Sequence, residues 1–227
     1  MAIEVSHTST AIIIDGVSES TWDSATWHPI PNLMDGALPS SEADFKGRYR
    51  LLWDENYLYL QVDISDDVLI DTHPNPTDKY WDDDALEVFI DSDASGGNHQ
   101  FNHTAFAYHI GLDNQAADYG PDKKAHLYTD HLVSNCKRNT TAPYNITWEV
   151  AIKLYPNDYQ QGAQNTPIKL TEKHVIGFML AYCDNDGSEV REHFMGSHEV
   201  KPVNGDRNRG FIDADVFGKI TLLPKSK

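Results

Sequence analysis

Basic residues, cysteines and long apolar runs are scarce in this chain of 227 residues. Lysine and arginine total 18 against 35 aspartates and glutamates, which gives a formal net charge of −17 with histidine neutral. A chain of that charge repels phosphate backbones and anionic lipid, so nucleic acid and membranes are excluded as partners. No run of about 18 apolar residues is present, and residues 1–10 lack the order of charged and apolar residues that a signal peptide has.

Chemical motifs that would define an enzyme are also absent. The two cysteines, Cys136 and Cys183, are too few for a disulfide framework and too far apart for a zinc or redox pair, so they form either one bridge or two half-buried thiols. Neither a G-x-S-x-G elbow nor a glycine-rich phosphate loop occurs. His99 and His103 have helical spacing in a segment rich in glycine and asparagine, which does not favour a zinc site.

What the sequence does have is apolar alternation with a period of two. Leu58, Leu60, Val62 and Ile64 share one strand face, and polar or aromatic residues occupy the other. The same pattern predicts strands at residues 85–91 and 146–152, with Glu87 on the outer face of the first. Further predicted strands are Ala11–Ile14, Arg48–Trp53, Thr104–Ile110, His126–Cys136, Val175–Cys183 and Gly218–Leu223.

Many short strands with turn-rich connections predict an all-β fold, because each one-sided apolar sheet must bury its face against another layer. No amphipathic helix longer than two turns and no break in composition is present. We therefore expect one antiparallel β-sandwich domain over residues 11–227, behind an N-terminal tail at residues 1–10 that begins with a vector-derived Met1-Ala2. Long loops at 71–84, 91–103 and 155–173 are expected to carry binding groups.

The segment from Tyr80 to Glu87 carries the strongest functional signal. Trp81 stands before a strand and is followed by three aspartates, Asp82 to Asp84. Aromatic faces stack on sugar rings and carboxylates accept hydrogen bonds from hydroxyls, which indicates carbohydrate binding. The alternative is that Trp81 closes one end of the sandwich and the aspartates are solvated.

Glycosidase chemistry is a second alternative for these carboxylates, since two acids at a defined separation cleave a glycosidic bond. A general acid needs an apolar setting to raise its pKa, and an aspartate run in a loop offers mainly water. We expect no catalytic residue.

Several stretches together resemble carbohydrate-binding module family 9, the sugar-binding β-sandwiches attached to xylanases and other polysaccharide-degrading enzymes. The resemblance covers most of the chain, from Ile14-Asp15-Gly16 with Trp22 to Val216-Phe217-Gly218. Its strongest stretches are 52–59, 81–91, 148–153 and 175–178 leading into Asp184-Asn185-Asp186.

In that family the end sugar of a glycan lies between two tryptophans. The resemblance implies that Trp81 is the first of them and that Glu87 binds hydroxyls. The second tryptophan corresponds to Phe211, six residues before Phe217, and Asn208 keeps a family asparagine. A Phe can still stack, so the clamp is altered rather than lost.

A third strip of the family's site, Gln-Phe-Arg-x-Asn, aligns with residues 105–109. Its arginine becomes Ala107 and its asparagine becomes His109. A methyl group does not replace a guanidinium that donates two hydrogen bonds, so a different sugar is expected. Arg191 and His193 are the candidate substitutes.

The resemblance also implies structural calcium, with Asp66 as a ligand, because calcium prefers clustered oxygen ligands. Similar sandwiches include haem domains with Met and His ligands, and Met195 near His193 suggests such a pair by analogy alone.

Together these expectations describe a monomeric, non-catalytic carbohydrate-binding module. It would bind the end of a plant or algal polysaccharide such as xylan or cellulose, outside the cell or in the periplasm, as part of a larger enzyme. The alternatives are a glycoside-active domain and, behind it, a haem-binding domain.

Overall fold

The computed structural model describes residues 2–139 and 144–225, and within them the chain is almost entirely β. Three short 3-10 helices lie at Ser20–Ser24, Thr129–His131 and Ala214–Val216. The first seven strands are β1 Ile3–His7, β2 His28–Pro29, β3 Asn32–Gly36, β4 Phe45–Trp53, β5 Leu58–Asp66, β6 Ala85–Asp91 and β7 Phe106–Gly111. The others are β8 Ala116–Tyr119, β9 Ala125–Leu127, β10 Leu132–Arg138, β11 Ile146–Ile152, β12 Val175–Asp184, β13 His193–Gly196 and β14 Gly218–Leu222.

The strands form two layers joined at one edge. The first sheet has the order β10-β11-β5-β4 with β2 beside β4. The second has the order β14-β12-β6-β7-β8-β9, with β13 beside the end of β12 and β3 beside β13. Strand β1 joins them, since its start pairs with β14 and its end with β4. Both of these pairings are parallel and the other ladders are antiparallel, which confirms the predicted β-sandwich with one exception at its joining strand.

The core lies between the two sheets, where the alternation predicted it. Leu58, Leu60, Val62 and Ile64 pack in one cluster with the inward residues of β6, β11 and β12. Burial of these faces supplies most of the driving force for folding, because apolar area removed from water stabilises at about 25 cal/mol per Å².

The outer faces of the sheets are also covered, which alternation alone does not show. Outside the first sheet, residues 12–25 cross β4, β5 and β11 and bury Trp22 completely. The Glu149 carboxylate lies beneath this segment and is fully buried. Its Oε1 accepts from Trp22 Nε1 at 3.0 Å and from the Gln61 amide at 3.1 Å, and its Oε2 accepts from two backbone N–H groups, of Asp15 and Gly16.

The N-terminal region departs from the sequence-based expectation. Residues 1–10 are expected to be a tail, but Ile3–His7 forms a strand because its backbone completes ladders with both sheets. Ala11–Ile14 is predicted as a strand and is instead part of the irregular cover, and a 3-10 turn at Thr129–His131 divides the strand predicted at His126–Cys136. Apolar alternation does not reveal pairing partners, which is why these three predictions were wrong.

The two cysteines are not bridged to each other. Cys136 is half-buried on β10 and Cys183 is buried on β12, and both are free thiols. No helix in residues 2–139 and 144–225 is long and apolar enough to cross a membrane.

Replacement of Glu149 by Gln is expected to destabilise the fold, since an amide nitrogen would face backbone or indole N–H donors and leave them unpaired. The free energy of unfolding should fall by about 1–3 kcal/mol. Urea unfolding measures this, with the exposed Glu4→Gln as control. Equal stabilities for Glu149→Gln and the control would contradict the role given to this carboxylate.

Candidate functional site

A cavity of about 690 Å³ opens on the outer face of the second sheet. Two of the long loops predicted to carry binding groups contribute to it, through Trp81 and Phe101, whereas residues 155–173 do not. The six side chains predicted to bind ligand all line it: Trp81, Glu87, His109, Arg191, Asn208 and Phe211. Residues separated by as many as 130 positions in sequence are thus brought to one place.

The floor of the cavity is formed by neighbouring strands β6 and β7. Glu87 and His109 are directly paired in this ladder and both point outward, as the alternation predicts for Glu87. Glu87 Oε2 and His109 Nε2 are 3.0 Å apart, and both side chains are more than nine-tenths buried. Burial alone would lower the pKa of His109, but the Glu87 carboxylate and Cys183 raise it to about 10. The floor therefore holds an imidazolium and carboxylate pair.

Aromatic rings form the walls. Trp81 is half-exposed, and the Tyr80 ring packs edge-on against it at 5.0 Å and against His109 at 4.8 Å. Phe211 reaches the cavity from the loop before the last 3-10 helix and is 36% exposed, so it is not part of the core. These exposed faces are suited to stacking on a ligand ring.

The cavity contains an arginine side chain, Arg191, although position 107 is an alanine. Ala107 packs in the apolar cluster under the covering loops, whereas Arg191 enters the cavity from the segment between β12 and β13. Its Nη1 lies 3.2 Å from Cys183 Sγ, and its guanidinium carbon lies 3.9 Å over the Phe194 ring. These contacts hold the Arg191 side chain, which is 10% exposed, in a fixed orientation.

The aspartate run is not solvated, contrary to the expectation from its loop setting. Asp83 accepts hydrogen bonds from the backbone N–H groups of Thr72 and His73 and from the Thr72 hydroxyl. Although burial opposes it, these bonds lower the pKa of Asp83. Asp84 is fully buried, and its oxygens accept from the N–H groups of Ile70 and Asn185. The hydrogen bonds of Asp83 and Asp84 thus hold the loop that carries Trp81 in its conformation.

Ten further residues line the cavity besides the six predicted ones. Tyr80, Phe101, Tyr119 and Lys123 are among them. Tyr119 and Lys123 belong to the β8–β9 hairpin, whose strands are too short to show alternation, although the turn residues Gly120-Pro121-Asp122 are a signal that was available.

A second cluster lies away from the cavity, where β5 and β12 end. Asp66, Asp184 and Asp186 place one oxygen each within 4.8 Å of one another, and Asp44 with His193 adjoins them. Both Asp184 oxygens are buried without a hydrogen-bond partner in the part of the chain that the structure describes. Burial, with repulsion from Asp66, raises the pKa of Asp184 to about 9. The predicted calcium ligand Asp66 belongs to this cluster, and its carboxylate accepts from the Tyr182 hydroxyl at 2.7 Å.

A β-sandwich with an aromatic and carboxylate cavity on one outer face has the features of a sugar-binding module. The chain belongs to the family described as carbohydrate family 9 binding domain-like, whose model matches residues 14–225. This is a family of non-catalytic carbohydrate-binding modules, as the sequence resemblance implied.

Similar proteins agree with this assignment. Endo-1,4-beta-xylanase A of Thermotoga neapolitana is 31% identical over 213 residues, and that of Thermotoga maritima is 26% identical over 213 residues. Each match covers 93% of this chain but 17% of the relative, so the chain spans only a small part of these enzymes. A carbohydrate binding module of family 9 from Caldicellulosiruptor kristjanssonii, solved with cellotriose, has the same fold, with a TM-score of 0.71 at 17% identity, covering 100% of this chain and 96% of that one.

Removal of the Asp83 side chain is expected to loosen the loop that carries Trp81, because three hydrogen bonds to Thr72 and His73 are lost together. Asp83→Ala should lower the free energy of unfolding by about 1–3 kcal/mol and abolish protection of the Thr72 and His73 amides in hydrogen exchange. The exposed Asp78→Ala, on the same loop, is the control. Unchanged amide protection in Asp83→Ala would show that the loop is held by other contacts.

Proposed function

We propose that the cavity binds the end of a neutral glycan chain, with Trp81 and Phe211 stacking on the sugar and Glu87 accepting hydrogen bonds from its hydroxyls. The observation that carries this is the convergence of the six predicted ligand-binding side chains on one cavity. Arg191, held by Cys183 and Phe194, would donate to hydroxyls in place of the arginine absent at position 107.

Relatives indicate the substrate class. Related modules belong to endo-1,4-beta-xylanases, and modules with the same fold are solved with cellotriose and with glucose. We therefore expect β-1,4-linked oligosaccharides of glucose or xylose as ligands. The domain would act as a monomer outside the cell or in the periplasm and hold an attached polysaccharide-degrading enzyme at its substrate.

The haem alternative finds no support in the positions of its two candidate ligands. Met195 packs in the core between the sheets. His193 Nδ1 lies 2.7 Å from the Ala37 carbonyl oxygen and its Nε2 faces Asp44. Met195 and His193 thus lie in different surroundings, where each already contacts other residues.

Trp81→Ala is expected to weaken cellotriose or xylotriose binding by about 5–150-fold, which corresponds to losing one aromatic stacking face worth about 1–3 kcal/mol. Phe211→Ala should weaken binding in the same direction. The fold should be retained because Trp81 is half-exposed. Isothermal titration calorimetry measures the affinity, with thermal unfolding as the test of folding.

Trp27→Ala is the matched control, since Trp27 is also half-buried but stacks on Arg48 beside β4, outside this cavity. Its affinity for sugar should equal that of the wild type. Unchanged affinity in a folded Trp81→Ala would remove the cavity from consideration as the sugar site.

We also propose that Asp66, Asp184 and Asp186 hold a structural calcium ion, with Asp44 and Asp67 close enough to contribute. The residues fit this cation because the ligands of this set are hard oxygens and the Asp184 carboxylate is buried without a partner. A divalent cation there would neutralise carboxylates that otherwise repel one another. The same segment leads from Asp184 to Arg191, so the ion would also fix one side of the cavity.

Calcium is expected to raise the melting temperature, and a chelator to lower it. Asp184→Asn should remove this response while leaving the calcium-free protein as stable as the wild type or more so, because a neutral amide replaces a carboxyl whose ionisation the calcium-free fold opposes. Asp23→Asn, an exposed aspartate elsewhere, should keep the full response. Differential scanning calorimetry with and without calcium decides this, and an undiminished calcium response in Asp184→Asn would contradict the site.

A further inference from the structure

Three side chains of the types that bind transition metals meet beside the cavity: Glu87 and His109 line its floor, and Cys183 is buried next to them. Glu87 on β6, His109 on β7 and Cys183 on β12 come from three adjacent strands of the second sheet. One ligand atom from each lies within 4.8 Å of the other two. Because adjacent strands are fixed by their ladders, this geometry is held by the most rigid part of the fold.

The three side chains are buried, and Glu87 and His109 form a close charged contact, but the ring nitrogens of His109 are not both satisfied by it. Glu87 is 2% exposed, His109 7% and Cys183 0%. Neither ring nitrogen of His109 makes an aligned hydrogen bond with any residue that the structure describes, although Nε2 lies 3.0 Å from Glu87 Oε2. A buried ring nitrogen without a hydrogen-bond partner, as Nδ1 is here, is costly. The arrangement resembles ligands around a shared point more than a set of paired hydrogen bonds.

We propose that Glu87, His109 and Cys183 form a zinc-binding site at the floor of the cavity. A thiolate, an imidazole and a carboxylate are ligands that zinc accepts, at about 2.0–2.3 Å each, in tetrahedral geometry. Tetrahedral ligands at those lengths lie about 3–4 Å apart, so the three atoms need to close by only about 1 Å. The fourth position would face the cavity and take water.

Proton balance and charge are consistent with this site. Binding would release the proton of the Cys183 thiol and one proton of the His109 imidazolium to solvent, leaving neutral imidazole and thiolate as ligands. Arg191 Nη1, 3.2 Å from Cys183 Sγ, would donate a hydrogen bond to the bound thiolate. The guanidinium also places a positive charge near the metal, which limits affinity.

Ligand type separates this site from the acidic cluster. Zinc prefers nitrogen and sulfur ligands, whereas calcium requires six to eight oxygens and gains nothing from a thiolate. Excess calcium therefore fills the acidic cluster and leaves the cavity site free for zinc or its cobalt analogue.

A consequence rests on the proposed function. Zinc bound to Glu87 would draw charge from the carboxylate that is proposed to accept from the sugar, and the metal with its water would occupy space at the cavity floor. Zinc and a glycan end should therefore compete for this site.

The direct test uses Co²⁺ with the whole domain in excess calcium, because cobalt bound to thiolate absorbs in the near ultraviolet. The wild type should show this band at one equivalent of cobalt, and zinc should abolish it. Cys183→Ala should lose the band, and His109→Ala should bind cobalt about 10–100-fold more weakly. Cys136→Ala, which removes the other free thiol, should keep the band.

Absence of the band in the wild type, or its persistence in Cys183→Ala, overturns the proposal. Because Cys183 is buried, folding of its variant is checked by circular dichroism, and Cys183→Ser serves as a second variant that should also lose the band. A loss of band in Cys136→Ala would place the metal elsewhere and equally overturn the site.

Calorimetry with cellotriose, with and without zinc, tests the consequence separately. Zinc should weaken sugar binding at least tenfold in the wild type and not in Cys183→Ala. A cobalt band in a domain that binds no sugar would support the metal site and contradict the proposed function. Sugar binding without a cobalt band would support the proposed function and contradict the metal site.

Discussion

Hydrogen bonding of buried carboxylates by backbone N–H groups holds the irregular parts of this protein in place. Glu149 fixes the segment that covers the first sheet, and Asp83 and Asp84 fix the loop outside the second. Each carboxylate lies where a strand face would otherwise meet water, and each collects two or more donors. Charge-assisted bonds of this kind are among the stronger ones in proteins, and breaking them leaves donors buried and unpaired.

This arrangement explains how a strongly acidic chain folds compactly. Its net charge is −17, and many of its acids are not on the surface. Those with N–H donors are satisfied within the chain. Asp184 is buried without a donor, and it lies with Asp66 and Asp186 at one place where the strands end, which would suit a cation. The same composition thus supplies both loop anchors and the acidic cluster proposed to bind a cation.

The cavity and the acidic cluster share two segments of chain. Asp82 lines the cavity while Asp84 binds the backbone of Asn185, next to the cluster. The segment from Asp184 runs past the cluster and delivers Arg191 to the cavity. A cation bound at the cluster, as proposed, would therefore act on the backbone that presents Trp81 and Arg191. The outward faces of β6 and β7 supply the floor, and loops supply most of the walls.

Sequence alone determined the sandwich, because alternation with a period of two fixes which side of β5, β6 and β11 faces the core. It also placed Glu87 on the outer face, and the motif around Trp81 indicated the site. Only the tertiary structure decided that Asp83 and Asp84 are buried, that Ile3–His7 joins the sheets, and that Cys183 lies beside His109 and Arg191. Those outcomes depend on which distant backbone donors and neighbouring strands come to each residue, and such partners leave no local periodicity in the sequence.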